Sequence, residues 1–239
     1  MKVLLTGSTG YIGKRLLQAL LEQGHEVICM VRNLERLLNL ELQLTGFQGI
    51  EVDLIHAVDQ KHTILDIDVA FNLIHSMSTS IGDFMAEEVI SAGNFANYIS
   101  QTNCKQIIYV SGISNSHKLS KHLQSRKNVE EVLNSSGKPL TVLRAGIIVG
   151  SGSASFEIIR DLMEKMPFLI APTWVRTLCQ PVAIANVIKY LTGCMLHPET
   201  FNQSFDIGGA EVLSYKTMLL TYAEIRGLKR RIIVVPFIS

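Results

Sequence analysis

Several things are scarce in this sequence, and each shortage removes a class of protein. The four cysteines stand far apart, at Cys29, Cys104, Cys179 and Cys194. No Cys-x-x-Cys pair can form, so neither a zinc site nor a disulfide framework is expected, and a reducing cytoplasm suits the chain. An excess of one charge is also missing. With 22 basic and 21 acidic side chains the formal net charge is +1, which offers no field for nucleic acid or an anionic membrane. No stretch approaches the ~18 apolar residues of a membrane span. The N-terminal run Met1-Lys2-Val3-Leu4-Leu5-Thr6 meets Gly7 long before it reaches the length of a signal-peptide core. Internal repeats and low-complexity segments are absent.

What remains is a chain of 239 residues, 47% hydrophobic and 18% charged, enough to bury a substantial core. Short apolar runs rich in branched residues alternate with stretches of helical period. The runs are Val3 to Thr6, Glu26 to Val31, Gly49 to Val52, Val69 to Leu73, Gln106 to Val110 and Leu140 to Arg144. Between them, Tyr11 to Gln23, Leu34 to Leu44, Asp83 to Thr102 and Leu119 to Ser135 place apolar residues three and four apart. That alternation predicts βαβ units, and the right-handed crossover rule turns them into an α/β fold with a doubly wound parallel sheet and ligands at its carboxyl edge.

After Val149 the character changes to Gly150-Ser151-Gly152-Ser153-Ala154-Ser155, followed by a helical stretch from Phe156 to Lys165. A boundary is expected there. Residues 1–150 would form a dinucleotide-binding Rossmann domain, and residues 151–239 a smaller substrate or lid lobe packed on the sheet edge. The chain stops at Val234-Val235-Pro236-Phe237-Ile238-Ser239, an apolar run that is expected either to be buried or to continue in a longer native chain.

The motif that carries the most information is Gly7-x-x-Gly10-x-x-Gly13, placed directly after the first predicted strand and opening the first predicted helix. Gly7 permits the tight turn, Gly10 lets backbone approach a pyrophosphate, and Gly13 lets the helix sit close to the strand. The amides near Tyr11 and Ile12 then face a phosphate at the positive end of the helix. About twenty residues on, where a carboxylate would accept from the ribose 2′-hydroxyl of NAD, the sequence has Met30-Val31-Arg32-Asn33. Arg32 offers a planar guanidinium suited to a 2′-phosphate, so NADP is expected in preference to NAD. Asp53, after the third strand, is a candidate acceptor for the adenine amino group.

The turn Thr6-Gly7-Ser8-Thr9-Gly10-Tyr11-Ile12-Gly13 resembles that of the short-chain dehydrogenase/reductase superfamily, in particular its atypical and extended branches, and adds Thr9 to the cofactor contacts. The resemblance extends to Val52-Asp53-Leu54, where members contact adenine, and to Asn72-Leu73-Ile74-His75-Ser76, where they meet the cofactor ribose. It continues with Tyr109-Val110-Ser111-Gly112 beside the active site. Phe205-Asp206-Ile207-Gly208-Gly209 looks like the substrate lobe of nucleoside-diphosphate-sugar epimerases and NmrA-like proteins.

The superfamily's chemistry uses a tyrosine with a lysine four residues later on one helix face, the ammonium lowering the phenol pKa. Here the residues four beyond Tyr11, Tyr98, Tyr109, Tyr190, Tyr215 and Tyr222 are Arg15, Thr102, Ile113, Cys194, Leu219 and Arg226. None is lysine. Where the pair belongs, the sequence reads His122-Leu123-Gln124-Ser125-Arg126. His122 is a candidate proton donor, since imidazole titrates near neutrality, and Arg126 a candidate partner for a ribose hydroxyl or phosphate. Ser111 matches the position that orients a substrate carbonyl, and His75 follows the fourth strand toward the same edge. The alternative assigns His122 and Arg126 to a solvated helix face.

Three functions follow from the resemblance. The first is an NADP-dependent oxidoreductase or epimerase-like enzyme acting on a small molecule. A second is a non-catalytic NADP-binding sensor of NmrA type that signals through a protein partner. The third is an assembly or electron-transport accessory.

Overall fold

The protein is described by a computed structural model covering residues 1–39, 46–58, 64–74, 83–113 and 121–236, with the side chains of residues 83–84 and 121–122 excepted. In chain order it runs β1 (Lys2–Thr6), α1 (Tyr11–Glu22), β2 (Glu26–Val31), α2 (Leu34–Leu38), β3 (Phe47–Glu51), β4 (Val69–Asn72), α3 (Asp83–Ser100), β5 (Gln106–Gly112), α4 (Lys121–Asn134) and β6 (Leu140–Ala145). There follow β7 (Ile148–Val149), α5 (Ala154–Lys165), β8 (Phe168–Pro172), β9 (Leu178–Cys179), β10 (Val182–Ala183), α6 (Ile184–Gly193), β11 (Gln203–Ile207), β12 (Leu213–Ser214), α7 (Tyr215–Ile225) and β13 (Arg231–Val235).

Seven strands form one parallel sheet in the order β11-β6-β5-β4-β1-β2-β3. The reversal of direction on either side of β1 is the doubly wound, Rossmann-like topology, whose ligands lie beyond the carboxyl ends of the strands. Its central strands β1, β2, β4 and β5 are buried almost without a break, as a sheet covered on both faces requires. Helix α1 turns Gly13, Leu16, Leu17 and Leu20 inward, the three- and four-residue spacing of a single apolar stripe. The core against α3 and α4 is built from Ile107 and Tyr109 of β5 with Phe95, Ile99, Val129 and Leu133.

The described residues group into two compact units, Met1–Arg144 with Ile188–Asp206, and Ala145–Val187 with Ile207–Ser239. In the second unit β8 and β13 pair in parallel from Phe168 opposite Arg231 to Pro172 opposite Val235. Met163, Ala171, Val175, Leu219, Ala223 and Ile232 form its core. Two differences from the expected elements stand out. The helix predicted over Leu34 to Leu44 is helical over Leu34–Leu38 and ends at Asn39, with residues 40–45 outside the described part. The sheet also has a seventh strand, β11, at the edge beyond β6. Its first four residues are exposed, so it lacks the apolar signature that reveals its neighbours.

Candidate dinucleotide site

The carboxyl edge of β1 continues directly into the glycine turn. Gly7 has φ +70°, the left-handed conformation that favours glycine. A Cβ there would also stand 2.5 Å from the Leu73 carbonyl oxygen, so conformation and space both exclude a side chain. Gly13 is held for space alone: a Cβ would stand 2.1 Å from the Gly7 carbonyl oxygen. Helix α1 is thereby packed onto its own entry turn. Gly10 differs from both. It has φ −81°, is exposed, and a Cβ would come only to 3.2 Å from the Gly7 carbonyl. Gly10 is the least constrained of the three, although a side chain there would press on the Gly7 carbonyl.

Gly10 is also the N-cap of α1, and no side chain caps that end. The first intrahelical bond is Lys14 N to Gly10 O at 3.0 Å, leaving the amides of Tyr11 and Ile12 as donors. Helices ordinarily place acidic side chains in the first turn to meet the dipole. This one has no acid there and carries Lys14 and Arg15 instead. The Arg15 guanidinium lies 4.0 Å from the centroid of the Tyr11 ring and donates to the Tyr11 carbonyl at 3.0 Å. Uncapped amides, the dipole and two cations make this end a fit for a phosphate-bearing anion. The buried Tyr11 hydroxyl has no partner among the described residues. Thr9, within the turn, is half-buried.

Thr6 holds the turn against β4. Its buried hydroxyl donates to the Phe71 carbonyl at 3.1 Å, accepts from Leu73 N at 3.3 Å, and lies 3.3 Å from Asn72 Oδ1. Asn72 Oδ1 in turn accepts from Ile74 N at 3.3 Å. The end of β4 is thus tied to the end of β1, with the Leu73 backbone pressed on Gly7. His75 lies outside the described residues. Thr6 was not among the expected site residues, because nothing in a lone threonine before a glycine turn announces a bond to a strand 65 residues away.

At the other end of the strand order from Arg32, the hydroxyl of Ser111 is buried at the carboxyl end of β5 and has no partner among the described residues. An orphaned buried hydroxyl is uncommon and calls for a reason. Arg126, on α4, reaches the same edge and donates to the Val110 carbonyl at 3.3 Å. Its guanidinium also bonds the buried Tyr109 phenol, whose pKa burial drives well above the ordinary range. One residue earlier in the chain, Ser125 donates to the buried Glu88. The structure therefore brings Arg126 to the backbone next to Ser111, while the His122 side chain lies outside the described part. Burial lifts the Cys29 thiol to about 12, which keeps it protonated and unreactive at neutral pH. No group of three His, Cys, Asp or Glu side chains suited to a metal occurs among the described residues.

Beyond β2 and β3 the edge is polar. Arg32 is exposed just past β2. Asn33 caps α2 by accepting from Arg36 N at 2.7 Å. Glu51, the last residue of β3, accepts from Leu34 N at 2.9 Å, a carboxylate at this edge that the sequence reading did not single out. Asp53 is exposed and closes a short turn, accepting from Ile55 N at 3.1 Å. Leu54 is buried, and its carbonyl accepts from Asn94 Nδ2 at 2.8 Å, which fixes the loop to α3.

A family profile described as NAD(P)H-binding matches residues 7–165, from the first glycine of the turn to the end of α5. The chain belongs to that NAD(P)H-binding family. No curated protein matches the sequence. Solved structures extend the fold comparison of this NAD(P)H-binding protein to nearly its full length. UDP-glucuronic acid 4-epimerase from Bacillus cereus, in complex with NAD, superposes with a TM-score of 0.80 at 18% identity, over 99% of this chain and 88% of that one. WbmG from Bordetella bronchiseptica, also in complex with NAD, gives 0.80 at 16% identity, over 99% and 81%. The epimerase Mth375 from Methanothermobacter thermautotrophicus gives 0.80 at 13% identity, over 98% and 80%. At these identities the likeness is one of fold, the doubly wound Rossmann architecture expected from the sequence. No helix among the described residues is long and apolar enough to cross a membrane.

Proposed function

We propose that the protein is an NADP-dependent oxidoreductase or epimerase-like enzyme of the cytoplasm, acting on a small carbonyl or sugar-nucleotide-like substrate. The observation that carries this reading is the uncapped start of α1, with exposed Gly10 before it and Lys14 and Arg15 behind it. A dinucleotide pyrophosphate satisfies all of these at once. Arg32 supports NADP over NAD, because its exposed guanidinium just past β2 is suited to a 2′-phosphate. Asp53, Leu54, Leu73 and His75 complete the proposed cofactor contacts.

A bound nicotinamide supplies hydride. The chain's own residues bind, orient and move a proton. The orphaned Ser111 hydroxyl is free to donate to a substrate carbonyl, the group it lacks among its described neighbours. Arg126, anchored at Val110 O, keeps permanent positive charge near that position, as the usual lysine does with a different geometry. His122 is proposed as the proton donor in place of the missing tyrosine. Residues from 151 onward are proposed to select the substrate.

The test follows NADPH absorbance after mixing with a panel of carbonyl compounds and, because epimerisation returns the cofactor to its starting state, separates the products of nucleotide sugars incubated with NADP by chromatography, for the native protein and for His122→Phe. Oxidation of NADPH, or an epimerised nucleotide sugar, with the native protein and neither with the variant is expected. NADPH binding with no turnover on any substrate would instead favour a cofactor-binding sensor, a reading for which the absent Tyr-x-x-x-Lys pair already speaks.

A further inference from the structure

We infer that Glu51 sets dinucleotide choice against Arg32, lowering the affinity for a 2′-phosphate that the arginine raises. The inference rests on the dinucleotide reading above and concerns a residue outside the glycine turn.

The bond from Leu34 N at 2.9 Å brings the Glu51 carboxylate to the loop that carries Arg32. Strands β2 and β3 pair in parallel with Val31 opposite Glu51, and the pairing runs past the strand ends through Val52 N to Val31 O at 2.8 Å. That register sets Arg32 one residue beyond the level of Glu51, so the backbone pairing alone does not join them; the Glu51 side chain does, by reaching the loop that follows β2. Glu51 is fixed there by its bond from Leu34 N, two residues beyond Arg32. No ion pair within 4.0 Å joins it to Arg32 among the described residues. The second carboxylate oxygen has no partner there either, and Glu51 is exposed.

A carboxylate there acts oppositely on the two cofactors. It accepts a hydrogen bond from a ribose 2′-hydroxyl, as the acid at the end of the second strand does in NAD-binding Rossmann proteins. It repels a 2′-phosphate, which carries about −1.5 to −2 charges at neutral pH. The acid missing from the end of β2 is supplied by β3, and selectivity becomes the difference between an attraction at Arg32 and a repulsion at Glu51.

Glu51→Gln separates charge from structure, because the amide oxygen still accepts from Leu34 N. The experiment titrates NADPH and NADH into the native protein, E51Q and E51S at low salt, with thermal unfolding as the check on folding. The ratio of the NADPH to the NADH dissociation constant is expected to fall about tenfold in both variants, through tighter NADPH, weaker NADH or both. A ratio within twofold of the native value in the two variants would overturn the role of Glu51 while leaving the dinucleotide site intact. A native protein that binds neither cofactor would overturn the reading on which the inference stands.

Discussion

The carbonyl oxygen of Gly7 lies 2.1 Å from the point where a Cβ on Gly13 would stand, whereas the same oxygen is 3.2 Å from a Cβ on Gly10. One motif therefore contains glycines held for two different reasons. Gly13→Ala forces helix α1 off its turn and is expected to destabilise the fold by about 3 kcal/mol, the upper part of the usual range for overpacking. Gly10→Val is expected to leave the melting temperature within a few degrees of native and to abolish NADPH binding. Thermal unfolding and cofactor titration of both variants check the contrast. A Gly10→Val protein that keeps native affinity would remove the phosphate from this turn.

Thr6→Val keeps the shape of the side chain and deletes its hydroxyl. The buried Leu73 amide loses its acceptor, a defect of about 1 to 3 kcal/mol. Denaturant unfolding should show this loss, and Thr6→Ser should recover most of it. Equal stability of Thr6→Val and the native protein would show that the bolt between β1 and β4 carries no weight.

Ser111→Ala tests a hydroxyl that has no partner among the described residues. Removing a buried group without a partner should not destabilise the protein and should raise stability slightly, in contrast to Thr6. Turnover should drop about a hundredfold if the hydroxyl polarises a carbonyl. A loss of stability with unchanged turnover would mean that Ser111 is a structural residue.

How far the sequence alone could reach is clear from these residues. The glycine spacing and the unbroken apolar strands were legible because each depends on a few neighbouring residues, and they led to the doubly wound sheet and to the glycine turn between β1 and α1. Glu51 was not legible, because only its bond from Leu34 N, 17 residues away in sequence, brings it to the loop that carries Arg32. The bond from Thr6 to the Phe71 carbonyl and the reach of Arg126 to Val110 likewise depend on contacts between segments distant in sequence. Strand β11 was missed for a different reason, since an exposed edge strand has no apolar pattern to betray it.

Arg32→Asp should weaken NADPH at least tenfold more than NADH, because it replaces attraction for a 2′-phosphate by repulsion and adds an acceptor for a 2′-hydroxyl. Parallel titrations measure the two losses. Equal weakening of both cofactors would show that Arg32 does not read the 2′ position.

The central claim is that this chain holds a dinucleotide on its N-terminal turn, and calorimetric titration of nucleotide-free protein with NADPH, NADH and NADP tests it most directly. The account predicts stoichiometric binding of NADPH and NADP, tighter than NADH, and its loss in Gly10→Val. Absence of heat with all three, from a protein shown to be folded, would contradict it.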